Sequence, residues 1–185
     1  MIGRLAAIGA AAAAARRAYA LVVRGAMTLD LGVGRTLRPL GPLTLPIAAP
    51  RDVVFDVIAA PYLWRTPRAL QAKLRVLERS EDMVLAEHFT PVGDRVATTL
   101  ETVRFERPSH VHFRLVRGAV PHVVEQFSLA ETAEGTELEY TGELGADLWA
   151  LGRWWGSRVA RRWEAAVRES LSAVAAEAER RAQSR

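Results

Sequence analysis

The sequence predicts an α+β fold in which a single antiparallel sheet lies under a long C-terminal helix, and three observations lead there. From about Ala146 onward, Leu148, Gly152, Trp155, Val159, Trp163, Val167, Leu171 and Val174 recur at three- and four-residue spacing, which puts them on one apolar helical face. No proline follows Pro121 to break that helix. Between Lys73 and Leu144 the hydrophobic period drops to two, in short segments separated by turn residues. The links between these segments are short, so successive strands are joined as antiparallel neighbours rather than through crossovers.

The 185 residues suit one domain plus an arm, and a 50% hydrophobic content supports a sizeable core. Cysteine is absent. That excludes disulfides, thiolate nucleophiles and cysteine metal sites, and the chain needs no oxidising compartment. The expected setting is the cytoplasm, at or near a membrane surface. The net charge of +4 is unevenly placed, with six arginines against one acid, Asp30, in residues 1–42 and an acidic balance between residues 43 and 146. Such asymmetry fits an arm that touches a membrane or a polyanion, and it equally fits solvated arginines in a chain biased toward Arg and Ala.

In chain order, Leu5 to Ala15 is an apolar, alanine-rich run followed by Arg16, Arg17 and Arg24. It is too short for the ~20 residues of a membrane span. A weak secretory signal, a helix lying along a membrane or on the domain, and a loosely ordered helical arm are the readings it allows. Residues 29–42 read as a connector. Gly32 and Gly34 do not form a dinucleotide loop, because Pro39 replaces the helix that such a loop would open. Residues 1–42 are therefore assigned to a basic arm and connector, and residues 43–185 to the folded domain.

Leu43 to Ile47 reads as a short strand whose Pro46 marks an edge or bulge. Pro50 and Asp52 then start an amphipathic helix carrying Val53, Val54, Phe55, Val57 and Ile58 and ending near Ala60. Pro61 to Pro67 reads as a second short helix or turn. The six strands that follow span Leu74–Ser80, Met83–Thr90, Val96–Glu106, His110–Arg117, His122–Ala130 and Thr136–Leu144.

With these elements in place, the string Leu45-Pro-Ile-Ala-Ala-Pro-Arg-Asp-Val-Val-Phe-Asp-Val-Ile58, the string Gly135-Thr-Glu-Leu-Glu-Tyr140 and the closing helix with Trp163-Glu164 resemble the SRPBCC, or START-like helix-grip, superfamily of polyketide cyclases and lipid-transfer domains. The likeness covers about residues 43–182. It implies seven antiparallel strands gripping the last helix around a cavity for an apolar or amphipathic small molecule. Members include carriers, sensors and enzymes, and no shared catalytic residue carries over.

If aromatic side chains mark the inner face, Phe89, Phe105, Phe113, Phe127 and Tyr140 set the phase of their strands. Leu85, Val103, Val111, Leu115, Val123, Leu129, Leu138 and Leu144 then also point inward, as do Glu87, Glu101, Arg117 and Glu125. The turn at Pro108-Ser109 would set Glu101 across from Arg117. A carboxylate in a poorly hydrated cup can serve as acid or base, and Arg117 can hold a ligand's carboxylate or oxyanion. The bland alternatives are a satisfied ion-pair network, or a bulge in the long strand that turns Glu101 outward. The candidate ligand contacts are Glu87, Phe89, Glu101, Val103, Phe113 and Leu115, then Arg117, Glu125, Phe127 and Tyr140, with Trp155 and Val159 from the helix.

His110 and His112 share an outer face with no third ligand nearby. His88 and His122 fall on the same outward phase, so no histidine acid or base is expected inside. No metal or cofactor is expected. The leading expectation is a carrier that binds a lipid-like or polycyclic molecule, with a hydrophobic small molecule as its partner and a peripheral membrane contact through the arm. The alternative is a cyclase-, dehydratase- or hydrolase-like enzyme using Glu101, Glu125 or Tyr140. Nucleic acid is not expected, because the sheet segment is acidic and lacks an aromatic-basic stripe.

Overall fold

A computed structural model describes residues 2–64, 66 and 70–184, with side chains from residue 8 onward. The elements run α1 (Ile2–Val23), β1 (Thr36–Ile47), α2 (Arg51–Leu63), β2 (Leu74–Arg79), β3 (Met83–Val92), β4 (Arg95–Glu106), β5 (His110–Arg117), β6 (His122–Thr132), β7 (Gly135–Ala146) and α3 (Trp149–Gln183). The sheet order is β1-β7-β6-β5-β4-β3-β2, every neighbouring pair is antiparallel, and β1 and β2 form the edges. This is the expected seven-stranded helix-grip arrangement.

Three elements differ from the sequence reading. The first strand starts at Thr36 rather than Leu43, and its leading half pairs with the last residues of β7. Pro39 and the Gly41-Pro42 step read as connector, yet β1 is an edge strand, where a missing N–H costs the ladder little, and the register shifts between Leu40 and Leu43. The helix α2 runs on to Leu63 with Pro61 in its last turn. Pro61 to Leu63 thus belong to α2 rather than to a second short helix or turn, and residues 65 and 67–69 of that segment lie outside the described residues.

The third difference is the face that α3 buries. Its buried residues are Gly152, Gly156, Ala160, Val167, Leu171 and Ala178, while Trp155, Val159 and Trp163 pack half-buried along its flanks. Small residues let the helix axis approach the sheet closely: a Cβ on Gly156 would already meet Ala146 and Leu144 at 3.3 Å. The core beneath is apolar, with Leu40, Ile47, Val103, Val111, Leu138 and Leu144 almost fully buried. Burial of this kind is the main driving force for the fold, at roughly 25 cal/mol per Å² of apolar surface.

The arm is helical, and its last residues pack on the domain. Its residues 8–18 are exposed, whereas Val22 and Val23 at its end are buried. There Tyr19 meets Trp155 edge-on at 6.1 Å. The connector is tied to the start of α3. Asp147 accepts hydrogen bonds from the Leu31 and Gly32 amides at 2.7 and 2.8 Å and from Arg35 Nε at 2.7 Å. No described helix is long and apolar enough to cross a membrane.

Candidate functional site

The phase of each strand follows from cross-strand pairing, since directly opposed residues share a face. One inner row runs Val103, Phe113, Glu125 and Gly142, and the next runs Phe105, Val111, Phe127 and Tyr140. Glu101 pairs with Leu115 on one side and Ala86 on the other. Glu101, Val103, Phe113, Leu115, Glu125, Phe127 and Tyr140 are thus buried on the concave face where the sequence placed them.

Because Ala86 lies across from Glu101, the inward residues of β3 are Val84, Ala86 and His88, not Leu85, Glu87 and Phe89. The expected phase of this strand was wrong by one residue. Glu87 is on the convex face and ion-paired with Arg75. Phe89 pairs with Thr98 on that same outward phase. Arg117 also leaves the cluster. Between the Glu101–Leu115 and Leu100–Arg117 pairs the ladder shifts by one residue at Val116, which turns Arg117 outward to within 3.9 Å of Glu87. The bulge weighed in the sequence reading therefore exists, but on the facing strand, and it displaces the arginine while leaving Glu101 inside. Trp155 donates its indole N–H to the Ala119 carbonyl at 2.8 Å, and Val159 lies beside the core. His110 and His112 stack outside, and the described residues contain no metal-binding cluster.

The interior holds a chain of polar contacts that sequence reasoning missed. Tyr62, from the last turn of α2, places its hydroxyl 2.9 Å from His88 Nε2 in a hydrogen bond, and His88 Nδ1 lies 3.2 Å from Glu101 Oε2, at ion-pair distance but outside hydrogen-bond geometry. Thr99 donates to the other Glu101 oxygen at 2.5 Å. Alongside, Glu125 accepts two hydrogen bonds on Oε2, from the Tyr140 hydroxyl at 2.7 Å and the Trp163 indole N–H at 2.6 Å. A continuous column of rings, Tyr62, Phe113, Phe127 and Tyr140, spans the space between the two groups at centroid distances of 6.3, 5.2 and 5.8 Å.

Electrostatics divides the two carboxylates. Burial alone would raise the Glu101 pKa, but the His88 charge 3.2 Å away and the Thr99 hydrogen bond outweigh it and hold Glu101 below its ordinary value. Burial opposes charge on His88, and Glu101 and Glu125 together more than offset it, so the imidazolium persists above its ordinary value. Protonated, His88 donates from Nε2 to the Tyr62 oxygen and sets its charge beside Glu101. Glu125 is pushed up to about 7, first by burial and then by the Glu101 charge, against the pull of its two donors. The outcome is a carboxylate held low, an imidazole held above its ordinary value and a carboxyl group pushed up to about 7. This separation of pKa values is the pattern that acid–base chemistry requires.

A cleft of about 700 Å³ opens at the β2 edge, lined by Trp64, Leu74, Val76, Arg79 and Phe89 among others. Leu74 is the strand neighbour of His88, and the Tyr62 carbonyl accepts from Arg79 of the cleft wall at 2.8 Å. Tyr62 thereby joins the cleft to the interior chain. A second cleft, of about 250 Å³, lies between the start of β1 and the first turns of α3.

Residues 43–179 match the family described as polyketide cyclase / dehydrase and lipid transport. A search of curated proteins finds no match. Among solved structures, the Zhui aromatase/cyclase from Streptomyces sp. R1128 superposes with a TM-score of 0.67 at 19% identity, over 79% of this chain and 96% of that one. TTHA0849 from Thermus thermophilus gives 0.57 at 16% identity, over 78% and 94%. The di-domain ARO/CYC StfQ from the steffimycin pathway gives 0.56 at 17% identity, over 81% of this chain and 52% of that one. At such identities the likeness is one of fold.

Proposed function

Because the chain belongs to the polyketide cyclase/dehydrase and lipid transport family over residues 43–179, we propose that it binds an aromatic or amphipathic small molecule inside the grip and catalyses proton transfer on it. The observation that carries this reading is the buried Tyr62–His88–Glu101 chain beside Glu125. A carrier without catalysis is the leading expectation from the sequence, which offers no independent nucleophile or metal and more apolar than polar inner positions. His88 in the interior adds an acid–base group that this expectation did not include.

The chemistry that suits the two groups is loss of water from a β-hydroxy ketone or a related aldol product. Glu125, titrating near 7, takes the proton next to the carbonyl, and electrons flow to expel the hydroxyl. His88, charged against Glu101, gives its Nε2 proton to the Tyr62 oxygen as the Tyr62 hydroxyl gives its own proton to the leaving hydroxyl, so water departs and an enone remains. Tyr62 is neutral before and after the step, since burial and the neighbouring carboxylates raise its pKa. The apolar column of rings favours an aromatic substrate over a hydrated one. A purely binding role remains the second reading, favoured by the two donors that already satisfy Glu125.

A panel of aromatic β-hydroxy ketones tests the proposal. Binding is read by quenching of Trp163, and dehydration by the absorbance of the enone. The expected result is saturable quenching with turnover along a bell-shaped pH profile, its rising limb set by Glu125 and its falling limb by His88. Quenching without turnover leaves the binding reading, and neither signal contradicts both.

A further inference from the structure

The end of the molecule where α3 begins carries an apolar tip that the interior site does not use. Leu151 and Trp154 are 60% and 57% exposed on the solvent side of the first turns of α3, opposite the buried Gly152 and Gly156. The connector lies against the same end: the Leu148 and Trp149 amides donate to the Val33 and Gly34 carbonyls at 2.9 Å. Leu29, Leu31 and Val33 on that connector, and Trp149 beside it, are all about half exposed or more. These residues come from two stretches more than a hundred positions apart in sequence, held together by Asp147, so the tip is a built surface and not a frayed end.

Charge surrounds the tip. One to three turns along the same face of α3, Arg158, Arg161 and Arg162 are exposed, and the Arg158 guanidinium sits 5.3 Å over the Trp154 ring. On the adjoining side the 250 Å³ cleft is lined by Arg38, Arg153 and Ser157. Arg38 Nε is enclosed there and meets no acceptor among the described residues. The nearby acids Asp30 and Asp147 are both bound to Arg35, at 2.5 and 2.7 Å. On the outer face, Glu143 is engaged by His122 at 3.1 Å. None of Arg38, Arg153, Arg158, Arg161 and Arg162 has an ion-pair partner among the described residues.

We infer that this end docks on an anionic lipid bilayer, with Leu151 and Trp154 entering the boundary between headgroups and acyl chains and the arginines facing lipid phosphates. Exposed Trp and Leu at a tip, followed by a collar of arginines and by an enclosed guanidinium lacking an anion, complement the layers of such a surface: apolar within, negative at the level of the headgroups. The inference stands whether or not the interior site turns over a substrate.

Co-sedimentation of the full chain with phosphatidylcholine vesicles, with and without phosphatidylglycerol, tests it. Retention should rise with phosphatidylglycerol and fall with salt. Leu151→Glu with Trp154→Glu should weaken retention about tenfold or more, and Arg38→Gln with Arg153→Gln about fivefold per charge, with circular dichroism unchanged. Retention that ignores both variant pairs, or that shows no preference for the anionic lipid, would overturn the inference. So would retention lost on deleting residues 1–23 yet kept by the tip variants, which would assign the contact to α1. A dimer abolished by the Leu151 and Trp154 changes, without vesicle retention, would assign the face to a second copy and overturn it as well.

Discussion

Glu101→Gln is expected to slow dehydration of the aromatic β-hydroxy ketones by about 10²–10⁴-fold, the span of a general acid–base contribution, while Trp163 quenching by the same compounds persists. The reason lies in His88. With the Glu101 charge gone, burial becomes the dominant influence on the imidazole and favours its neutral form near neutral pH, so the proton needed by the leaving hydroxyl is absent. Steady-state rates at several pH values check this, because the falling limb should move to lower pH as the rate drops. An unchanged rate and profile would remove Glu101 from the mechanism.

Asp147→Ala is expected to cost about 3 kcal/mol in urea unfolding, toward the lower end for breaking a buried ion pair because Arg35 is partly exposed. The Asp147 side chain is almost fully buried and holds Arg35 Nε and two connector amides, which lose their acceptor together while Arg35 Nη2 keeps Asp30. The pH dependence has a definite sign. Asp147 is held at about 2, chiefly by the Arg35 hydrogen bond, against an ordinary value of 3.8. Its contribution is therefore fully present above the ordinary value and is lost as pH falls toward about 2. The variant should unfold more easily than wild type at pH 7 and lose that difference in strong acid. Equal stability at pH 7 would mean that the connector is not anchored in this way.

Much of this architecture was legible because it rests on periodicity. The change of period after Lys73 marks every strand of the meander, and the spacing of Gly152, Val159, Trp163 and Val167 marks α3. Within β5, β6 and β7 the aromatic residues lie on the buried face, so the inward placement of Phe113, Glu125, Phe127 and Tyr140 followed correctly. The same rule failed in β3. Phe89 is an aromatic residue near a sheet edge, on the outward phase, and using it to set the phase sent His88 outside. The hairpin at Gly93-Asp94 carried the better signal. It pairs Val92 with Arg95, and counting back along the ladder puts Ala86 across from Glu101 and His88 across from Thr99.

Other features had no local signal. A bulge adds one residue without a compositional mark, so the outward turn of Arg117 at Val116 becomes visible only in the register. Tyr62 belongs to a proline-bounded segment in the sequence, and its meeting with His88 depends on how α2 lies over the sheet. The buried face of α3 was shifted for a related reason. Hydrophobic size drew attention to the tryptophans, whereas the closest approach to the sheet is made by glycine and alanine. Tryptophan instead contributes its indole N–H groups, one to Glu125 and one to the Ala119 carbonyl.

A His88–Glu101 ion pair inside the grip, beside a carboxyl group pushed up to about 7, is the feature on which the proposed chemistry rests. Titration of the full chain by NMR, with ¹⁵N-labelled histidine and ¹³C-carboxyl-labelled glutamate, measures that directly. His88 should remain protonated above its ordinary pKa of 6.5, and Glu125 should titrate near 7, far from its ordinary value of 4.5. Both signals should move when an aromatic β-hydroxy ketone is added. A neutral His88 at pH 6 together with a Glu125 that titrates in the ordinary carboxylate range would contradict the claim.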